Sequence, residues 1–309
     1  MQKTATSALL AILSLGLFAG PLPAAPAAPD TLPTRHPHRF LISDSLSQKL
    51  LIFERDGSVS WEYPQPGSVY DGAQLPDGNV LYCWFRIGTT GPTAGVREIT
   101  PDKRIVFEFS VAQECHSVQR LSDGLTLIED PSNRRLIEVD RQGRIVRELK
   151  LQIGHREVHH VARQCRKLPD GNYLVAQEFD QAVVEYAPDG SVRRRFPIDG
   201  RPFGVSRLPN GHTLIGTGGG PGIGRTVVEI DSHGNPVWTF EPADFPAGTN
   251  LDWVLGAHRL ANGHTVIANF LGHGKGGQGL SLLEVTPSKE VVWTFGEKRI
   301  VLFMQILEP

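Results

Sequence analysis

Cysteine is scarce in this chain of 309 residues. Only Cys83, Cys115 and Cys165 occur, and none stands in a C-x-x-C pair. So small and odd a set excludes a disulfide-built scaffold and leaves at least one thiol free, buried or intermolecular. A preponderance of one charge is equally lacking. The net charge is -2 and the pI is near 6.6, so there is no basic footprint and nucleic acid is not an expected partner. Beyond the first twenty residues no apolar run approaches the roughly 18 residues of a membrane helix, so membrane insertion is not expected either.

The first residues, MQKTATSALLAILSLGLFAGPLPAAPAAP, combine one lysine, an apolar stretch from Ala8 to Ala19, and a run of small residues and prolines. This is the pattern of a secretory signal peptide cleaved between Ala24 and Ala28. The organisation expected is a signal peptide over 1–27, a proline-rich linker over 28–38 and one domain over 39–309, in a protein that is periplasmic or secreted and monomeric.

What the chain has in abundance is self-similarity. Aligning the turn glycines gives AQLPDGNVLY at Gly78, VQRLSDGLTLIE at Gly124, CRKLPDGNYLVA at Gly171, SRLPNGHTLIG at Gly211 and HRLANGHTVIA at Gly263. Asp-Gly or Asn-Gly between two apolar runs signals a tight hairpin, because such a turn needs positive φ. A second phrase recurs six times: LIFERDGSVSWEY, REITPDKRIVFEF, IEVDRQGRIVREL, VEYAPDGSVRRRF, VEIDSHGNPVWTF and LEVTPSKEVVWTF. Two hairpins in each unit of about 45 residues make a four-stranded β-propeller blade. Five copies of one phrase against six of the other leave RFLISD without a first strand. The closing VLFMQILEP supplies one, since Met304-Gln305-Ile306-Leu307 fits the first-strand pattern of SVQRL and GAHRL. The fold expected is all-β: a six-bladed β-propeller of four-stranded blades, its ring closed by the C-terminal strand pairing into the first blade.

The phrases carry a resemblance. DGSVSWEY, DSHGNPVWTF and SKEVVWTF are similar to the tryptophan-docking phrase of quinoprotein-like propellers. HSVQRLSDGLTLIED and HHVARQCRKLPDGNYLVAQE resemble the histidine-then-hairpin phrase of arylsulfotransferase-like propellers. It covers residues 39 to 309 and is mainly architectural. In the sulfotransferase family a histidine at the channel mouth accepts the sulfo group, helped by other histidines and an arginine. This chain is much shorter than typical members of that family, and no single histidine matches the catalytic position uniquely. It also lacks the adjacent cysteines of the eight-bladed quinone-dependent dehydrogenases, so no quinone or other cofactor is expected.

Counting eight residues back from each turn glycine places Tyr70, His116, Arg163, Phe203, Leu255 and, in the closing strand, Leu302 around the channel mouth. Tyr70, His116 and Arg163 form a polar arc, and the other three an apolar one. Such a mouth suits a ligand with one charged and one apolar or aromatic end. His159 and His160 precede the first strand of their blade and overhang the polar arc. In an extended segment neighbours point opposite ways, so one of the two is expected to face the mouth and the other to be a hydrogen-bonded structural histidine.

Six residues after the glycine stand Asp44, Trp84, Asp130, Gln177, Thr217 and Asn269. Their common reading is turn-making, with Trp84 a candidate for stacking on a sugar or arene. Arg86 and Arg163 suit an anionic group, because guanidinium bonds such oxygens in a bidentate way. Asp71, Asp252, Trp253 and His273 complete the candidate ligand contacts, with Lys275 beside His273, while His258 is expected to pack between blades. His116, His159 or His160, and Asp71 could together hold a metal, but no close histidine spacing supports one and no metal site is assigned. The glycine-rich GHGKGG and GTGGGPGIG lead into strand-like segments, so no helix N-terminus is available for a pyrophosphate.

The function expected is binding of a small polar or anionic ligand, a glycan or aryl compound, at the channel mouth. The alternatives are an arylsulfotransferase-like enzyme, in which His116, His159 or His160 attacks sulfur while Arg163 steadies the charge, and a non-catalytic protein-interaction scaffold. Fold alone decides none of them.

Overall fold

The computed structural model describes residues 37–86, 93–154, 157–219, 224, 226–245, 251–272, 279–296 and 298–307. The expected signal peptide, most of the linker, His273 and Lys275 lie outside these residues.

The described residues form 24 strands, all paired antiparallel. In the first sheet β1 (Phe40–Asp44), β2 (Lys49–Phe53) and β3 (Val59–Pro64) follow in order, and β24 (Val301–Ile306) lies on the free side of β1. That pairing sets Ile42 opposite Met304 and Phe40 opposite Ile306. The second sheet is β4 (Ser68–Gln74), β5 (Val80–Phe85), β6 (Ala94–Ile99) and β7 (Ile105–Val111). The third is β8 (Val118–Arg120), β9 (Thr126–Asp130), β10 (Arg135–Val139) and β11 (Ile145–Lys150). The fourth is β12 (Cys165–Lys167), β13 (Tyr173–Gln177), β14 (Ala182–Tyr186) and β15 (Val192–Pro197). β16 (Arg201–Arg207), β17 (Thr213–Gly218), β18 (Val227–Ile230) and β19 (Pro236–Phe240) form a further four-strand unit. So do β20 (Trp253–Arg259), β21 (Thr265–Phe270), β22 (Leu282–Val285) and β23 (Val291–Phe295). A single pair, Gly218 with Trp253, links the two units. Successive antiparallel four-stranded sheets of this kind are the architecture of a β-propeller.

The sequence explains the layering. The second strand of every unit is buried along its whole length. These strands read as continuous apolar runs because both of their faces are covered by neighbouring sheets. The outermost strands, such as β11 and β15, are mostly exposed and carry charged side chains. Apolar clusters fill the space between sheets: Leu41 and Leu50 meet Val80 and Tyr82, and Leu174 and Val183 meet Ile215 and Val228. Another joins Phe40 and Leu51 to Val266, Leu282 and Trp293. Two of the tryptophans in the recurring phrase reach the next sheet, Trp61 Nε1 donating to Pro101 O (3.0 Å) and Trp238 Nε1 to Pro287 O (2.9 Å).

Turn chemistry differs from the expectation in one respect. Only the glycine of each Asp-Gly or Asn-Gly pair takes positive φ, 84° to 87° at all five first hairpins. The preceding Asp or Asn instead accepts a backbone hydrogen bond, as Asp77 Oδ1 does from Asn79 N at 3.0 Å. This is a three-residue turn ending in a left-handed residue. A Cβ at Gly124 or Gly211 would meet nothing within 4 Å, so backbone conformation alone demands glycine there.

At this turn end a buried glutamate recurs on the third strand of five units and pairs with a basic side chain of the following unit. Glu98 bonds Arg120, Glu138 bonds Lys167 (2.6 Å), Glu185 bonds Arg207 (2.7 Å), Glu229 bonds Arg259 (2.7 Å) and Glu284 bonds His38 (2.8 Å). The three cysteines are buried free thiols. Among the described residues no helix is long and apolar enough to cross a membrane.

Candidate functional site

At the opposite end of the sheets a cavity of about 250 Å³ opens between unlike walls. His159, His160, Arg163 and Glu178 make one wall; Phe203, Trp253, Leu255 and Phe270 make the other, with Tyr70 between them. Phe203, Leu255 and Phe270 pack into one apolar cluster with Leu302, and Trp253 stands edge-on to Phe203 with centroids 5.2 Å apart. The cavity lies a little below the usual range of roughly 300–1,000 Å³ for ligand pockets, so it fits something the size of one sugar or one substituted arene. A larger depression of about 590 Å³, lined by Arg39, Glu54, Gln74 and Gln305 among others, lies at the turn end. There Arg39 already donates to Glu54 and Gln74, so the smaller cavity is the better candidate.

Arg163 is buried between the two walls. Its Nε donates to Glu178 Oε2 at 2.6 Å, and its guanidinium lies 5.0 Å from the Phe203 ring centroid and 5.6 Å from that of Tyr70. Nη1 is buried and has no hydrogen-bond partner. A buried donor left unpaired costs about 1–3 kcal/mol, more when charged, so such a group is a natural point of attachment for an acceptor. Glu178 also lies 3.2 Å from His160 Nδ1 and 3.8 Å from Arg201 Nη1. Burial works to raise the Glu178 pKa, but the charges and hydrogen bonds of Arg163 and His160 outweigh it and hold the carboxyl below its ordinary value.

The histidine pair departs from the sequence expectation. Val158–His160 is a short 3-10 turn rather than an extended segment, and it brings both rings to the cavity. His159 Nδ1 lies 2.6 Å from Glu114 Oε2, and the two imidazole centroids are 4.9 Å apart. His116 sits behind them with its side chain fully enclosed, edge-on to Tyr70, Phe85 and His159. Its Nε2 is 3.0 Å from Glu114 Oε2 and its Nδ1 3.4 Å from Glu129 Oε2, yet neither nitrogen is in hydrogen-bond geometry. Burial and the Arg163 charge press the His116 pKa down; Glu129 and Glu114 overcome them and raise it. Burial dominates at Glu129 and raises its pKa. At Glu114 burial is outweighed by the neighbouring His116 and His159 imidazoles, which hold it well below the carboxylate range.

Several candidates fall elsewhere. Asp71 is enclosed away from the cavity, paired with Arg166 at 2.6 and 2.7 Å and accepting from Ser117 Oγ and Val118 N, where it ties three sheets together. Trp84 is 1 % exposed and packs between the first two sheets, with Arg97 4.6 Å from its ring centroid, so it cannot stack on a ligand. Arg86 donates to Pro66 O and lies over Trp84. Asp130 accepts from Asn133 and Arg135, and Gln177 bonds Tyr186 and Arg195, both structural roles. Asp252 is buried beside Trp253, its backbone N–H donating to Asn269. His258 is exposed rather than packed between sheets.

Glu114, Glu129, Glu178, Phe85 and Phe270 were not among the sequence candidates, and strand alternation explains four of them. Side chains six residues after the turn glycine point away from the cluster. Those at five (Glu129) and seven (Phe85, Glu178, Phe270) point toward it, because successive residues of a strand face opposite sides. Glu114 lies on the connection from β7 to β8, two residues before His116, where no strand period applies.

No protein-family model matches the chain, and no curated protein does. Solved structures do. A protein of unknown function from Bacteroides caccae superposes with a TM-score of 0.72 at 24% identity, covering 88% of this chain and 100% of that one. The virginiamycin B lyase from Staphylococcus aureus gives a TM-score of 0.56 at 14% identity, covering 83% of this chain and 80% of that one. A streptogramin B lyase gives 0.59 at 10% identity, covering 87% of this chain and 90% of that one. The likeness is one of fold, and it supports the β-propeller architecture.

Proposed function

We propose that the chain is an exported, monomeric β-propeller of six four-stranded blades, closed by its last strand, that binds a small ligand at the channel mouth. The ligand carries an anionic or acceptor group for Arg163 and an aromatic or apolar body for the wall of Phe203, Trp253, Leu255 and Phe270. The six four-strand units, the pairing of β24 with β1 and the cluster joining the first sheet to β21, β22 and β23 support the closed ring. The leader pattern of residues 1–27 supports export.

One observation carries the binding reading: the buried, unpartnered Nη1 of Arg163 on the polar side of a cavity whose other wall is aromatic. Aryl sulfates, aryl phosphates and uronic acids are the ligand classes with that shape. Titration calorimetry with phenyl sulfate, phenyl phosphate and glucuronate tests it. At least one is expected to bind, and Arg163→Met, which keeps the aliphatic stem, is expected to weaken it by about 10–100-fold, the worth of a charged hydrogen bond. Affinity indifferent to that substitution would sink the assignment.

A second reading is an arylsulfotransferase-like group transfer. The observation favouring it is an imidazole on the cavity wall, His160, held by the Glu178 carboxylate beside Arg163. A ring nitrogen of His160 would attack sulfur, the S–O bond to the arene would break, and the phenolic oxygen would leave with the electron pair while Arg163 offsets its charge. Release of phenol from an aryl sulfate, lost in His160→Ala, is the expected sign. His116, whose side chain is fully enclosed, is not placed to act as that nucleophile.

A further inference from the structure

Behind the cavity wall, Glu114, His116 and His159 bring one carboxylate oxygen and two imidazole nitrogens within 4.8 Å of one another. We propose that these three residues bind one divalent transition-metal cation of the zinc class.

Two imidazoles and one carboxylate are a donor set that borderline cations favour, with metal–ligand distances of about 2.0–2.2 Å. Three ligands at that distance in a tetrahedron sit about 3.4 Å apart. Glu114 Oε2 is now 3.0 Å from His116 Nε2 and 2.6 Å from His159 Nδ1, so these two edges need open by less than about 1 Å, while the two imidazole nitrogens already lie within 4.8 Å.

A separate observation points the same way. The His116 side chain is fully enclosed, and both its nitrogens lack hydrogen-bond partners although carboxylates stand beside each. A buried imidazole is rarely left so. The Glu129 carboxylate 3.4 Å from Nδ1 is where a metal-bound histidine finds the acceptor that orients its ring. His159 belongs to both the cluster and the cavity wall, so the ion would adjoin the bound ligand.

The inference goes beyond the small-ligand reading and does not rest on it, because its test reads the cation itself. The full chain, stripped with a chelator, is titrated with Co²⁺ and followed by visible absorption, then back-titrated with Zn²⁺. One Co²⁺ per chain is expected, with ligand-field bands of low coordination number that Zn²⁺ abolishes. His159→Ala and Glu114→Gln, at partly exposed positions, are each expected to weaken binding more than about 100-fold, and Glu129→Gln about 10–100-fold as a residue that only orients a ligand. Near-UV circular dichroism establishes that each variant is folded. A wild-type chain that shows no ligand-field bands at saturating Co²⁺ overturns the proposal, as does Co²⁺ binding that persists undiminished in both His159→Ala and Glu114→Gln.

Discussion

The two ends of the sheets are built by opposite rules. At the turn end one device is written five times: a buried glutamate on the third strand, reached by Arg120, Lys167, Arg207, Arg259 or His38 from the following unit. At the mouth no two sheets contribute alike. Equivalent positions, in the first strand or just before it, hold Tyr70, His116, Arg163, Phe203, Leu255 and Leu302. Both ends retain buried polar atoms without partners, on Arg207 and Arg259 at the turn end and on His116, Glu129 and Arg163 at the mouth. Repetition answers a demand every blade shares, holding its neighbour. Its interruption beside a cavity with unlike walls marks the mouth as the candidate binding end.

The strongest way to test this contrast is to break one member of the repeated device. Glu98→Ala leaves Arg120 and Arg141 without the carboxylate they share, and losing one side of a buried pair costs about 3–5 kcal/mol. For a chain of this size even 3 kcal/mol lowers Tm by about 5 °C. Calorimetry is expected to show that loss, while ligand affinity of the folded fraction at the mouth stays unchanged.

Acid titration gives a smaller effect. Burial works to raise the Glu98 pKa, but hydrogen bonds from Arg141 and Asn79 and the Arg120 charge outweigh it, so the folded value is below the ordinary 4.5. Its stabilisation is therefore complete above 4.5 and drains away as pH falls through the lower folded value. Denaturant melts of wild type and Glu98→Gln should diverge above that pH and converge below it.

The smallest effect sharpens the same point. Lys103 (φ 70°) and Lys289 (φ 71°) occupy the turn position that glycine fills in the other second hairpins. Lys103→Gly relieves the left-handed penalty of about 1–2 kcal/mol, partly offset by the flexibility glycine adds to the unfolded chain. A net gain of about 0.5 kcal/mol in chemical denaturation is expected, with the mouth unaffected.

The repeated end was the legible one. Turn glycines, continuous apolar second strands and the pairing of residues 301–306 with 40–44 all follow from periodicity, and so did the glutamate, present in five of the six recurring phrases as REI, IEV, VEY, VEI and LEV. Reading those phrases for their turns alone passed over it. At the mouth, counting from the turn glycine placed Tyr70, Arg163, Phe203 and Leu255, which stand at one common distance from their turns and all line the cavity. It failed on second strands, where an offset of one selected Trp84 and Gln177 instead of Phe85 and Glu178. It also failed where no period exists: the 3-10 turn that lets His159 and His160 both face inward, and the connection that carries Glu114.

The most direct test of the contrast is a crystal of the whole protein soaked with phenyl sulfate. The account predicts the probe at the mouth, its sulfate on Arg163 and its ring against Phe203 and Trp253. Density instead in the turn-end groove of Arg39, Glu54 and Gln305, with the mouth empty, would contradict it.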